Sequence, residues 1–77
     1  MKYIITSTDI DGFDSYVHRE RGTGKLWLDE PVVMVYRNES VARKVRQKAN
    51  RRGMGDCMER PFNETDYPNW VEEIVND

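Results

Sequence analysis

Residues 32–50, VVMVYRNESVARKVRQKAN, decide the fold because they join an apolar strand directly to a capped amphipathic helix. The run Val32–Tyr36 is apolar on both faces, which is typical of a central or well-covered strand. Asn38 is a preferred N-cap residue, and Glu39 lies in the first turn, where the helix dipole favours an anion. Apolar residues follow at helical spacing at positions Val41, Ala42, Val45 and Ala49. We therefore expect a strand followed by a helix that ends at Gly53–Gly55.

The segments on either side of this unit have short patterns of their own. Upstream, alternation and turn residues predict a strand over 2–7, a turn over Asp9–Gly12, a strand over Phe13–Glu20, a hairpin turn over Arg21–Gly24 and a strand over Lys25–Leu28. Downstream, they predict a short strand over Cys57–Phe62 that Pro61 marks as an edge or an end. The last element is expected to be a short helix, capped by Asp66, with Pro68 in its first turn and Trp70, Val71, Ile74 and Val75 facing inward.

These elements give the order β-β-β-β-α-β-α, an α+β class of fold. Seventy-seven residues allow one domain, residues 1–77, with no room for a second core. The expected architecture is a small antiparallel sheet, with the basic helix and the short C-terminal helix packed on one of its faces.

Charge is sorted along the chain. Residues 37–52 contain seven Lys or Arg against one acid, whereas residues 53–77 contain one Arg against seven acids, within a total charge of −2. The basic strip of the helix consists of Arg43, Lys44, Arg46, Lys48, Arg51 and Arg52. Such a strip binds phosphates or an acidic protein surface, or else it is a solvated face that the acidic C-terminal segment neutralises. The sequence leaves both interpretations open.

Aromatic residues on the strands suggest a second contact surface. Tyr16, Trp27 and Tyr36 lie on strands that a small domain is not expected to cover on both faces. Trp27 is the strongest candidate, because Leu26 and Leu28 occupy the opposite face of its strand. Since Trp, Tyr and Arg dominate interface energetics, we expect Trp27 and Tyr36 to contact a partner together with the basic strip.

The sequence offers little for catalysis or metal binding. Cys57 is the only cysteine and His18 the only histidine, so no internal disulfide and no zinc site of thiolates and imidazoles is expected. A Cys57–His18 nucleophilic pair is conceivable, but a lone Cys is usually a core residue. Asp9, Asp11 and Asp14 lack the glycine position and flanking helices of a calcium loop. We therefore expect no enzyme, no cofactor and no metal.

Residues 32–50, preceded by a β-hairpin and followed by a short strand, resemble small phage and mobile-element accessory proteins of the anti-CRISPR type, which inhibit host defence systems. The resemblance implies a protein that blocks nucleic-acid entry or assembly in a larger protein or ribonucleoprotein complex. With no apolar run longer than five residues, we expect no membrane span and no signal peptide, and a cytoplasmic location is the default expectation. The alternative is a small nucleic-acid-binding domain that uses Arg43–Arg52. An edge strand could also pair two copies into a homodimer.

Overall fold

Strand β1 lies in the middle of a six-stranded sheet in a computed structural model of the chain, which describes residues 1–9, 12, 14–30, 32–63 and 65 and the backbone of 71–75. The elements in chain order are β1 (Tyr3–Thr8), β2 (Asp14–Arg19), β3 (Leu26–Asp29), β4 (Val33–Tyr36), α1 (Glu39–Arg51), β5 (Asp56–Pro61) and β6 (Val71–Val75). The α+β class is therefore confirmed. The structure also contains four strands before the helix and a strand after it, and none of their boundaries is displaced from the predicted one by more than one residue.

The sheet is organised around the two edges of β1. On one edge β5 pairs antiparallel along the whole strand, from Tyr3↔Pro61 to Thr8↔Asp56. The other edge is shared by β2, which pairs with Thr6–Thr8, and by β4, which meets β1 at Tyr3↔Tyr36. Followed from strand to strand, the pairings run β3-β2-β1-β4-β6, with β5 off this path on the other edge of β1, so that β3 ends the sheet on the β2 side. The pairings of β1, β2 and β3 are antiparallel, and the β4–β6 pairing is parallel.

Helix α1 begins and ends where its sequence predicts. The side-chain oxygen of Asn38 accepts hydrogen bonds from the backbone N–H of Ser40 (2.9 Å) and Val41 (3.4 Å), two of the donors left unpaired at a helix start. Gly53 follows the C-cap with φ +70°, a left-handed conformation that glycine adopts without steric cost. The predicted hairpin is also present, because Glu20 N–H donates to the Lys25 carbonyl (2.8 Å).

Both faces of the sheet contribute to the core. The buried residues on the helix side are Ile5, Val17, Leu26, Met34, Tyr36 and Cys57, which pack with Ala42, Val45 and Ala49 of α1. A second buried cluster, on the opposite face, consists of Ile4, Tyr16, Val33 and Val35, with Phe62 against it. Because successive strand residues alternate between faces, the apolar run of β4 supplies both clusters. The expectation that the sheet is covered on one face alone is therefore wrong.

Tyr36 and Tyr16 are buried, contrary to the expected exposure of these strand aromatics. Tyr36 has no exposed surface, and its hydroxyl donates a hydrogen bond to the backbone carbonyl of Val17 at 3.0 Å. A buried phenol requires such an acceptor, since an unpaired hydroxyl away from water is costly. Tyr36 thus joins β4 to β2 inside the protein and is not available to a partner.

The predicted C-terminal helix is not confirmed. Residues Val71–Val75 form strand β6, which pairs in parallel with β4 from Val33↔Val71 to Tyr36↔Val75, with an irregularity between Val33 and Met34. Three of these five residues are β-branched, so they suit a strand as well as a helix. All four residues of β4 are buried, so the backbone groups on its edge away from β1 need hydrogen-bond partners inside the protein, and a strand over residues 71–75 supplies them. The predicted cap Asp66, Pro68 and Trp70 lie outside the described residues.

Candidate functional site: a basic groove beside the β2–β3 hairpin

Packing of α1 on the sheet divides the basic strip into two flanks. At 3.6 residues per turn, Lys44, Lys48 and Arg51 lie within about 60° of one another on one side of the apolar arc. Arg43 and Arg46 lie on the other side of that arc. In the first group Lys44 and Lys48 line a groove against the β2–β3 hairpin, and this group is called the hairpin flank. In the second group Arg43 and Arg46 lie beside Glu59 of β5, and this group is called the β5 flank. The two flanks differ in how their charge is compensated.

The β5 flank is neutralised by carboxylates. Arg46 Nε donates to Glu59 Oε1 at 3.0 Å, and Arg43 Nη2 donates to Glu39 Oε1 at 3.1 Å. Arg43 Nε also lies 4.0 Å from Glu59 Oε1. Glu59 belongs to the acidic segment after residue 52, so the expected neutralisation by that segment holds for this flank. The Tyr3 hydroxyl donates to Glu39 Oε2 (3.3 Å), and burial, together with this carboxylate, raises the pKa of Tyr3.

The hairpin flank is not neutralised by any carboxylate that the structure describes. Lys44, Arg51 and the C-cap residue Arg52 are exposed, and none of them forms an ion pair within the described part of the chain. Lys48 Nζ donates to the Gly24 carbonyl at 3.1 Å, which ties the helix to the hairpin turn. A carbonyl is neutral, so this bond orients the ammonium without cancelling its charge and leaves two of its three donors for a ligand.

A groove of about 360 Å³ runs between α1 and the hairpin. Its apolar floor is formed by Leu26, Val41 and Val45, and its rim carries Arg19, Lys44 and Lys48. The residues that line it include no carboxylate. Positive charges around an apolar floor of low dielectric constant concentrate the positive potential in the groove. They favour a ligand that combines negative charge with apolar surface. We call this site the basic groove.

Arg19 and Leu26 are two strand residues of the groove that sequence reasoning did not place in a binding site. Arg19↔Leu26 is a register pair of the β2–β3 ladder, and both side chains lie on the helix side of the sheet. The signal was present in the alternation of β2: Arg19 is two residues from Val17, so it shares the face that the helix covers. This alternation does not assign Arg19 to the groove until the face covered by α1 is known.

The predicted aromatic contact Trp27 lies next to the groove but on the opposite face of the sheet. Its side chain is 37% exposed, and its ring packs on the His18 ring with centroids 5.4 Å apart. Leu28, on the helix face of the same strand, is 41% exposed. Two large apolar side chains are therefore exposed on the outer strand of the sheet, as the sequence predicted for Trp27.

Cys57 and His18 are not brought together. His18 is completely buried on the face opposite the helix, and its Nε2 donates to the Val32 carbonyl at 2.8 Å. Cys57 is buried on the helix face, where burial raises the pKa of its thiol, the charge of Asp56 raises it further and a hydrogen bond with Ser7 lowers it. The net rise keeps the thiol protonated, and the thiolate is the nucleophilic form. This pair cannot act as a nucleophile and its base in this arrangement.

Among the residues that the structure describes, no three His, Cys, Asp or Glu side chains lie close enough together to bind one metal ion. No helix in the described part is long and apolar enough to cross a membrane. No protein family model matches the chain, and no curated protein or solved structure is significantly similar to it.

Proposed function

We propose that this chain is a non-enzymatic protein-binding module that docks through its hairpin flank on an acidic surface of a larger protein. It would act as phage-type inhibitors do, by occupying a surface of a host complex that handles nucleic acid. The observation that carries the proposal is the basic groove, in which Arg19, Lys44 and Lys48 surround an apolar floor with no carboxylate among the lining residues. Complementary charge speeds and orients docking, and anchors buried at the centre supply most of the affinity.

The apolar floor favours a protein ligand over a nucleic-acid backbone. Phosphates are contacted by cations spread along an extended surface, without a need for apolar area between them. Here Arg43 and Arg46 already bind Glu39 and Glu59, so the strip offers fewer cations than its sequence suggests. A protein surface can place a carboxylate at the rim and an apolar side chain on the floor at the same time.

Exposed side chains on β3 extend the same surface. Trp27 and Leu28 are the large apolar residues that β3 leaves partly open, and aromatic side chains are frequent hot spots of interfaces. The surface proposed for partner contact is therefore Lys44, Lys48, Arg51, Arg52 and Trp27, with Arg19 and Leu28 added. Tyr36 is left out because it is buried, and Arg43 and Arg46 are left out because they pair with Glu39 and Glu59.

The proposal is tested by capture from a lysate of the cells in which the chain naturally occurs. The tagged protein is compared with Lys44→Glu/Arg51→Glu, which reverses two cations of the hairpin flank, and with Arg37→Glu, an exposed cation away from the groove. We expect the chain to capture a partner protein even after nuclease treatment. The double variant should no longer capture that protein, and Arg37→Glu should still capture it. Capture that depends on nucleic acid, or that is equal for both variants, would overturn the proposal.

Direct nucleic-acid binding is the second candidate, favoured by the exposed cations Lys44, Arg51 and Arg52, which form no ion pair with any described residue. It predicts binding to duplex or single-stranded oligonucleotides that weakens steeply with salt. A plot of the logarithm of the binding constant against the logarithm of salt concentration should fall with a slope of about 0.7–0.9 per phosphate contact. Lys44→Glu/Arg51→Glu should remove that binding. No binding at 50 mM salt would exclude this candidate.

A further inference from the structure

The basic groove and the outer edge of β3 are adjacent, and together they define what the ligand looks like. Resting on the protein-binding function proposed above, we propose that this chain binds an extended acidic segment of its partner, which adds as an antiparallel strand to β3 and directs carboxylates at the hairpin flank. Strand addition of this kind takes its affinity from backbone hydrogen bonds and its specificity from alternate side chains.

No described strand pairs with the backbone of β3 on the side away from β2. Among the described residues β3 pairs only with β2, over Tyr16↔Asp29 to Arg19↔Leu26. Glu20 N–H donates to the Lys25 carbonyl, and these two residues are opposite each other in the same register. In an antiparallel ladder hydrogen-bonded and non-hydrogen-bonded pairs alternate, so Leu26 and Leu28 direct their N–H and C=O groups to the free edge.

The side chains around this edge specify the chemistry of the added strand. In an antiparallel pair, residues opposite Leu26 and Leu28 would share their face, the face that carries Lys44 and Lys48 of α1. Carboxylates at those alternate positions would meet cations that no described acid neutralises. The intervening side chains would lie on the face of Trp27, which is 37% exposed and offers an apolar contact. The expected ligand alternates acidic and apolar residues.

Charge argues against a second copy of this chain as the occupant. Two β3 strands that pair antiparallel about a twofold axis would place both hairpin flanks on the same side of the joined sheet. Lys44 and Lys48 of each copy would then face the cations of the other, and like charges across an interface oppose association. An acidic segment of another protein removes this conflict.

The test uses the full chain and a synthetic fluorescent peptide, Thr-Glu-Val-Glu-Val-Glu-Thr, followed by anisotropy. N-methylation of the Glu nitrogens blocks the bonds to β3, and it should weaken binding by about tenfold or more, because two backbone hydrogen bonds are lost. N-methylation of the Val nitrogens, which point away from β3, is the matched control and should leave binding unchanged. A peptide with Lys in place of Glu should not bind.

Variants of the protein test the same contacts from the other side. Leu28→Pro removes an N–H that points to the free edge and no bond of the β2–β3 ladder, so it should abolish peptide binding while the circular dichroism spectrum stays native. Lys44→Gln should weaken binding by about two- to fivefold, and Arg37→Gln should not. In amide NMR spectra the peptide should shift Leu26 and Leu28 most.

Several outcomes would overturn the proposal: no binding of the peptide up to about 1 mM, equal loss with either N-methyl pattern, or displacement by an oligonucleotide of equal charge. A dimer of the free chain that Leu28→Pro dissociates would replace it with self-pairing. The proposed protein-binding function fails separately. If the captured protein is lost with Lys44→Glu/Arg51→Glu but retained with Leu28→Pro, docking on an acidic surface stands and strand addition is wrong.

Discussion

The ion pair between Arg46 and Glu59 decides how much of the basic strip is neutralised, and its strength can be measured. Arg46 Nε lies 3.0 Å from Glu59 Oε1, and the two side chains are 28% and 21% exposed. Exposed pairs contribute about 0.2–1 kcal/mol, whereas hydrogen bonds to charged groups contribute about 1.5–3 kcal/mol. Because the Arg46–Glu59 pair is partly buried, its free energy should lie between these two ranges, and solvent screening lowers it. We therefore expect a coupling free energy of about 1 kcal/mol.

The assay is a double-mutant cycle with Arg46→Gln, Glu59→Gln and the combined variant, using urea unfolding. For a small domain the slope of the free energy of unfolding is about 1 kcal/mol per molar urea, so the coupling corresponds to a midpoint change of about 1 M. The matched control is the cycle for Arg43 and Glu39, an i, i+4 pair whose side chains are 53% and 54% exposed. That control should give about 0.3–0.5 kcal/mol.

Salt separates the two pairs further. In 1 M salt the screening length falls to about 3 Å, so the Arg43–Glu39 coupling should nearly vanish while the partly buried Arg46–Glu59 coupling persists. Glu59→Gln should also release the positive charge of Arg46 and strengthen binding of anionic probes to the β5 flank. A coupling for Arg46–Glu59 no larger than that of the control pair would show that the flank is not neutralised by Glu59.

Three further predictions concern stability. Tyr36→Phe should lower the free energy of unfolding by about 1–2 kcal/mol, because it leaves a buried carbonyl of β2 without its donor; an unchanged urea midpoint would contradict this. Gly55→Ala should cost about 2 kcal/mol or more, since φ is +86° and an added Cβ would overlap Ser7 Oγ. Gly22→Ala, at φ +91° but in open space, is its control in thermal unfolding and should cost about 1 kcal/mol. Because burial raises the pKa of the Cys57 thiol, the stability that this residue contributes is present below its unfolded pKa of about 8.5 and is lost as pH rises through the folded value. Unfolding free energies between pH 7.5 and 9.5 should therefore fall more steeply for the natural protein than for Cys57→Ala, and parallel curves would refute the shift.

The helix and the turns could be predicted because their causes are local. Asn38 caps α1 through its own side chain, and Gly53 ends it through its own backbone freedom. The hairpin between β2 and β3 follows from residues 21–24 in the same way. Such features depend on neighbours within four or five residues, so sequence pattern carries them.

The C-terminal strand and the burial of Tyr36 could not be predicted, because their causes are distant. The sequence of residues 71–75 is compatible with a helix or with a strand, and pairing with the buried strand β4 decides for the strand. The sequence pattern predicts Tyr36 as a strand residue but not its burial, which depends on packing against α1 and on the carbonyl of Val17 in β2. A pattern of short range contains no information on either contact.

For the candidate site, the sequence by itself determined that a basic amphipathic helix exists and which of its residues are charged. Only the tertiary structure decided which of those charges remain available. The β1–β5 register Ile5↔Glu59 places the carboxylate beside Arg46, whereas the β2–β3 hairpin brings Arg19 and no lining carboxylate to Lys44 and Lys48. The physical reason is that electrostatic compensation depends on distances of a few ångströms between residues far apart in the chain, and these distances are set by strand pairing together with the packing of α1 on the sheet.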